Sequence, residues 1–117
     1  MATTIQYVTY KAIVSAGVET YDLVPFDING NQFKEVTLNV DTTLGAVTIN
    51  LPEISTLVGN YNLTIKVVRT AGGNNVTIAP AGSDKIGSAS SVVLNAINKS
   101  VEVSPIETIN WYGVITA

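Results

Sequence analysis

Hydrophobic and polar residues alternate with a period of two along most of the chain, and the 3.6-residue period of an amphipathic helix is nearly absent. From Lys34 to Asp41, Val36, Leu38 and Val40 share one face while Thr37 and Asn39 take the other. From Ala46 to Leu51, Val47, Ile49 and Leu51 oppose Thr48 and Asn50. From Tyr61 to Arg69, Tyr61, Leu63, Ile65 and Val67 oppose Asn62, Thr64 and Lys66. The same spacing predicts strands over 75–79, 91–94, 100–103 and 109–115. Their β-branched side chains suit a pleated, half-buried surface.

Between these runs lie residues that tolerate positive φ. Asn29-Gly30, Gly72-Gly73-Asn74-Asn75 and Ala81-Gly82-Ser83-Asp84 are turn signals. Arg69 to Val76 predicts a hairpin between two paired strands. Pro52, Pro80 and Pro105 fall at strand ends, where a missing amide costs least. Glu53 to Val58, stopped by Gly59, is the one candidate helical turn. Seven or eight short strands with frequent turns predict an all-β fold, an antiparallel β-sandwich, jelly-roll-like module or small barrel.

Composition narrows the chemistry. At 117 residues the chain fits one domain, and it contains no Cys and no His. Thiol catalysis, His-based triads and Cys/His zinc or haem ligation are excluded. The six basic residues (Lys11, Lys34, Lys66, Arg69, Lys85 and Lys99) are scattered, and the formal charge is −3. That gives no electrostatic footprint for nucleic acid or an anionic membrane. The N-terminus has no basic and apolar signal-peptide pattern, and no run approaches the roughly 18 apolar residues of a membrane span. The three sequons at Asn62, Asn75 and Asn98 compare with about two expected by chance from 11 Asn and 22 Ser plus Thr, and are read as accidents of composition. Only 13% of residues are charged, and Thr, Asn and Ser fill the strand positions opposite the apolar ones. Monomeric β proteins place charges there to block edge-to-edge pairing, so neutral polar faces point to contact with other subunits.

Nine carboxylates remain as catalytic candidates, among them Asp41, Glu53 and Asp84 at expected turns or strand ends. They are read as solvated loop groups, with Asp84-Lys85 a surface pair of little energetic value. No paired acidic motif of a glycosidase, calcium loop, nucleophile elbow or phosphate-binding loop is present. The expectation is a non-enzyme with no catalytic residue, cofactor or metal. Trp111-Tyr112 is the conspicuous aromatic pair. Neighbouring strand residues point to opposite faces, so one belongs inside and the other is a candidate for exposed aromatic contact with a sugar or a protein. Tyr7, Tyr10, Tyr21 and Phe26 form a looser N-terminal aromatic group.

These segments, taken in order, carry a family likeness. Val36-Thr-Leu-Asn-Val-Asp-Thr-Thr-Leu-Gly-Ala-Val-Thr-Ile-Asn-Leu-Pro52 is followed by Gly59-Asn-Tyr-Asn-Leu-Thr-Ile-Lys-Val-Val-Arg69. Then come Gly73-Asn-Asn-Val-Thr-Ile-Ala-Pro80, Asp84-Lys-Ile86 and Asn110-Trp-Tyr-Gly-Val114. The set resembles the β-structured domains of bacteriophage tail fibres, head fibres and capsid decoration proteins over residues 36–117. Ala46 stands where those domains usually have Thr before the Val-Thr-Ile strand. The individual motifs are mainly strand alternation and turns; their order gives the resemblance its specificity.

The resemblance implies a homotrimeric, non-enzymatic virion protein and supplies no catalytic motif. It leaves residues 1–35 as an N-terminal anchor or attachment segment with some strand, ahead of an antiparallel β domain over 36–117. With no heptad repeat and no room for a fibre shaft, the expected role is a trimeric capsid decoration or short head-fibre protein that binds the major capsid protein or another virion protein. Ile5, Tyr7 and Tyr10 would be its capsid-anchoring residues. The alternative is a tail-fibre receptor-binding module in which Trp111 or Tyr112 stacks on host surface carbohydrate. Either way the expected location is the virion, after synthesis in the host cytoplasm.

Overall fold

The computed structural model describes residues 9–14, 17, 19–26, 33–57, 63–105 and 110–116. Among them are ten strands: β1 (Thr9–Val14), β2 (Thr20–Asp22), β3 (Glu35–Asp41), β4 (Val47–Asn50), β5 (Thr64–Ala71), β6 (Val76–Ala79), β7 (Lys85–Ile86), β8 (Val92–Leu94), β9 (Ser100–Pro105) and β10 (Asn110–Thr116). The expected helical turn is a single 3-10 turn over Ile54–Leu57. The chain is all-β.

The strands form two sheets, one in the order β1-β3-β5-β9-β10-β7 and one in the order β2-β4-β6-β8. Both are mixed, which corrects the antiparallel expectation. β1, β3 and β5 are parallel neighbours in the first sheet, and β2, β4 and β6 are parallel neighbours in the second. The chain therefore alternates between sheets for three successive turns of a coil. Val36 lies beside Ile65 and Val47 beside Val76, an offset of 29 residues in each sheet. Alternation of period two fixes which face a residue occupies but not the partner or direction of its strand, so the sequence pattern is equally compatible with both arrangements.

Two antiparallel additions complete the sheets. β8 runs against β6, β9 runs against β5, and β10 returns along β9. The inward residues of both sheets meet in one hydrophobic cluster that includes Leu38, Ile65 and Val103 from one sheet and Ile49, Ile78 and Leu94 from the other. Each fully buried side chain of this kind contributes about 1.5–3 kcal/mol of transfer free energy.

The expected hairpin between Arg69 and Val76 is instead a corner that carries the chain from one sheet to the other. It stacks on the preceding corner through Thr42, whose side chain is fully buried. The Thr42 hydroxyl lies 3.0 Å from the Ala71 carbonyl and 2.7 Å from the Asn74 carbonyl. Asn74 answers with its side-chain amide, which donates to the Thr42 carbonyl at 2.8 Å. Gly72 makes the approach possible: its φ is +93°, and an added Cβ would lie 2.3 Å from the backbone of Thr42 and Thr43. Only glycine fits there.

The described part of the segment expected as an N-terminal anchor or attachment with some strand contributes a strand to each sheet. β1 pairs with β3 and β2 with β4, while Val14, Leu23 and Phe33 join the core. Asn50 also donates to the Asp22 carboxylate at 2.7 Å, which ties β2 to β4. The described part of residues 9–33 thus forms the first turn of the coil.

Candidate interaction surface

Of the expected anchoring residues, Ile5 and Tyr7 lie outside the described residues. Tyr10 sits on β1, the outer strand of the six-stranded sheet, in register with Val36. The C-terminal aromatic pair divides as strand geometry requires. Trp111 is 0% exposed, so its proposed role as a solvent-facing contact is corrected: it fills the core beneath β10. Tyr112 is 59% exposed.

Among the described residues, no three His, Cys, Asp or Glu side chains gather as a metal site would require. Asp84 is 5% exposed rather than solvated, and its carboxylate accepts the Ile54 amide at 2.9 Å. It thereby caps the 3-10 turn from thirty residues away, and only Lys85 of the expected surface pair faces solvent. Asp41 accepts both the hydroxyl and the backbone amide of Thr43. These two bonds, the hydroxyl's first, hold its carboxyl below the ordinary value of 3.8. Glu35, Lys66 and Glu102 border a shallow depression of about 140 Å³ on the outer face of the six-stranded sheet, open to water and without an enclosed acid pair. Glu19 borders a second depression of about 210 Å³ near Leu44.

Arg69 is the unexpected buried charge. Its inward position on β5 follows from the alternation, but the sequence reading did not anticipate a guanidinium at 5% exposure. Nη2 donates to the Gly72 carbonyl at 2.7 Å, while Nε and Nη1 have no hydrogen-bond partner. The signal was available: Arg69 occupies the position that Val40 occupies one coil turn earlier.

The C-terminal strand presents an open edge. β7 pairs with Asn110 and Trp111 only, and the last bond on that side runs from the Gly87 amide to the Trp111 carbonyl at 2.8 Å. At Gly87, with φ of +60°, the chain turns away. Backbone groups alternate sides along a strand. Gly113 and Ile115 therefore direct their N–H and C=O to the same side as the Trp111 carbonyl, and among the described residues no strand lies beside them. Tyr112, Val114 and Thr116 direct theirs to β9. Val114 and Ile115 are 48% and 53% exposed, and β10 has no charged residue. Beside this edge lies a groove of about 260 Å³ lined by Ile86, Val92, Val101, Gly113 and Ile115 among others.

No protein-family model matches the chain, and no curated protein is significantly similar to it.

Proposed function

We propose that this protein is a non-enzymatic structural component of a phage virion, a self-associating capsid decoration or short head-fibre protein that binds the major capsid protein. The observation that carries this reading is the surface of β10, where Tyr112, Val114 and Ile115 are exposed on an edge without charge. Soluble monomers protect such an edge with lysine, proline or a covering segment, whereas a subunit of an assembly leaves it for a neighbour. The ordered strand motifs shared with phage head-fibre and decoration domains supply the class of assembly, and the homotrimer is the stoichiometry that this likeness implies.

Separating virions of the source phage into heads and tails and probing each for this protein tests the proposal. Recovery with heads supports it, and absence from both fractions overturns it. The anchor is tested by deleting residues 1–8, which removes Ile5 and Tyr7 and leaves every described strand in place. The shortened protein is expected to fold and to lose capsid binding. The exposed ring of Tyr112 favours one second reading, a tail-fibre module that stacks on host glycan. Glycan-array binding that disappears with Tyr112→Ala, together with recovery in tails, would select it.

A further inference from the structure

The sheets have four outer strands, and they are not alike. β2 and β8 are three residues long, and β1 carries Lys11. The fifth edge is the stretch of β10 from Tyr112 to Thr116, on which Tyr112, Val114 and Ile115 are exposed; it has no neighbour among the described strands because β7 is only two residues long. It is the longest free edge without charge among the described residues. Short strands and lysines are the usual protections against edge-to-edge pairing, and this stretch has neither.

The bare stretch is complementary to itself. In an antiparallel pair, residues whose N–H and C=O face the neighbour exchange both bonds with the residue opposite. With Val114 opposite Val114 of a second copy, Gly113 falls opposite Ile115 and Ile115 opposite Gly113. All four outward-facing residues of the two copies then exchange bonds. This register also places Ile115 of the second copy opposite Gly113, where it meets Ile86, whose Cγ2 lies over the glycine at the mouth of the apolar groove. On the other face, the two Val114 side chains meet at the axis, and each Tyr112 lies across from Thr116.

We propose that this protein pairs with a second copy of itself through β10, antiparallel and about a two-fold axis at Val114, joining two six-stranded sheets into one. The absence of charge on the strand means that two copies of net charge −3 meet without local repulsion. Five residues per copy bury less than the roughly 800 Å² per partner of a standard interface, so the pairing is concentration-dependent in solution and favoured where copies are held close. Each copy has one such edge. A three-fold contact made elsewhere would therefore be linked in pairs by this one, and the two-fold contact stands independently of the virion reading.

The chain has no cysteine, so single substitutions report the register directly. Non-hydrogen-bonded partners in an antiparallel pair have Cα atoms about 4.5 Å apart, within disulfide reach. Under mild oxidation Val114→Cys is expected to form a covalent dimer of twice 12.3 kDa at least about tenfold faster than Tyr112→Cys. The two Tyr112 positions are four residues out of register, about 14 Å apart, beyond the roughly 7 Å limit for a disulfide. In sedimentation velocity the wild-type mass is expected to rise with concentration to an even number of chains, and Val114→Lys is expected to halve it while keeping the melting temperature. Equal or absent cross-linking at the two positions overturns the proposal. So does a wild-type mass that Val114→Lys leaves unchanged, or one of three chains only.

Discussion

The corner where Thr42 meets Gly72 and Asn74 and the edge at Gly113 each turn on a glycine, yet their backbones end in opposite conditions. At the corner, Gly72 lets two turns of the coil touch, and Thr42 and Asn74 bind each other's main-chain groups. At the edge, β7 stops after two residues and leaves the amides and carbonyls of Gly113 and Ile115 facing outward. A buried main-chain group without a partner costs about 1–3 kcal/mol, so the corner must be closed for the fold to exist. The edge can stay open in water, and it is therefore where a partner can add something. Uncharged composition alone does not separate a structural contact from an interaction surface; the state of the backbone does.

The two glycines break the comparison most sharply. Gly72→Ala would force a Cβ to within 2.3 Å of backbone at positive φ, and it is expected to destabilise the protein by about 3 kcal/mol or more. Thr42→Val removes the hydroxyl that three groups share and should cost about 2 kcal/mol. Gly113→Ala brings its Cβ to 2.7 Å from Cγ2 of Ile86, a branch methyl of a buried side chain rather than main chain, and at a φ outside the left-handed region it should cost about 1–2 kcal/mol. Urea denaturation of the three variants ranks them, and a Gly113→Ala loss equal to that of Gly72→Ala would erase the distinction.

Arg69→Met sharpens the view of the corner from beneath. Two of the guanidinium nitrogens are buried without partners, and replacing an uncompensated buried charge with an apolar side chain of similar volume is expected to raise stability by about 1 kcal/mol. A loss of that size would show that the Nη2 bond to Gly72 outweighs the burial of the rest.

The smallest effect concerns pH. The Thr43 bonds lower the Asp41 carboxyl, so they contribute stability above its ordinary value of 3.8, and that contribution is lost as pH falls through the lowered value. Thr43→Val should therefore be less stable than wild type near neutral pH, with the gap closing in acid. Thermal melts across that range measure it, and a gap constant with pH would assign the loss to something other than the carboxylate.

Much of the local structure was legible. The predicted strands over 34–41, 46–51 and 75–79 correspond to β3, β4 and β6, and the single helical turn lies within 53–58. The division of Trp111 from Tyr112 followed from their adjacency on a strand. β2 and β7 were not legible: Thr20–Asp22 and Lys85–Ile86 sit in no run of β-branched residues, whereas the equally short β8 is the Val-Val-Leu core of the expected strand over 91–94. The coil had a faint trace in the repeat of Val47-Thr-Ile49 as Val76-Thr-Ile78, 29 residues on. A comparison of the chain with itself at that offset finds it. The roles of Asp84 and Thr42 had no local signal, since each depends on a segment about thirty residues away.

By itself, then, the sequence determined which residues face inward, because β-branched side chains at alternate positions can be buried together on only one side of a strand. It also excluded histidine and thiol chemistry by composition. The tertiary structure decided which strands became neighbours and in which direction, why Gly72 and Thr42 must meet, and that β10 is left with a bare edge. Those are decisions of loop geometry and strand length: a two-residue β7 cannot cover a seven-residue β10.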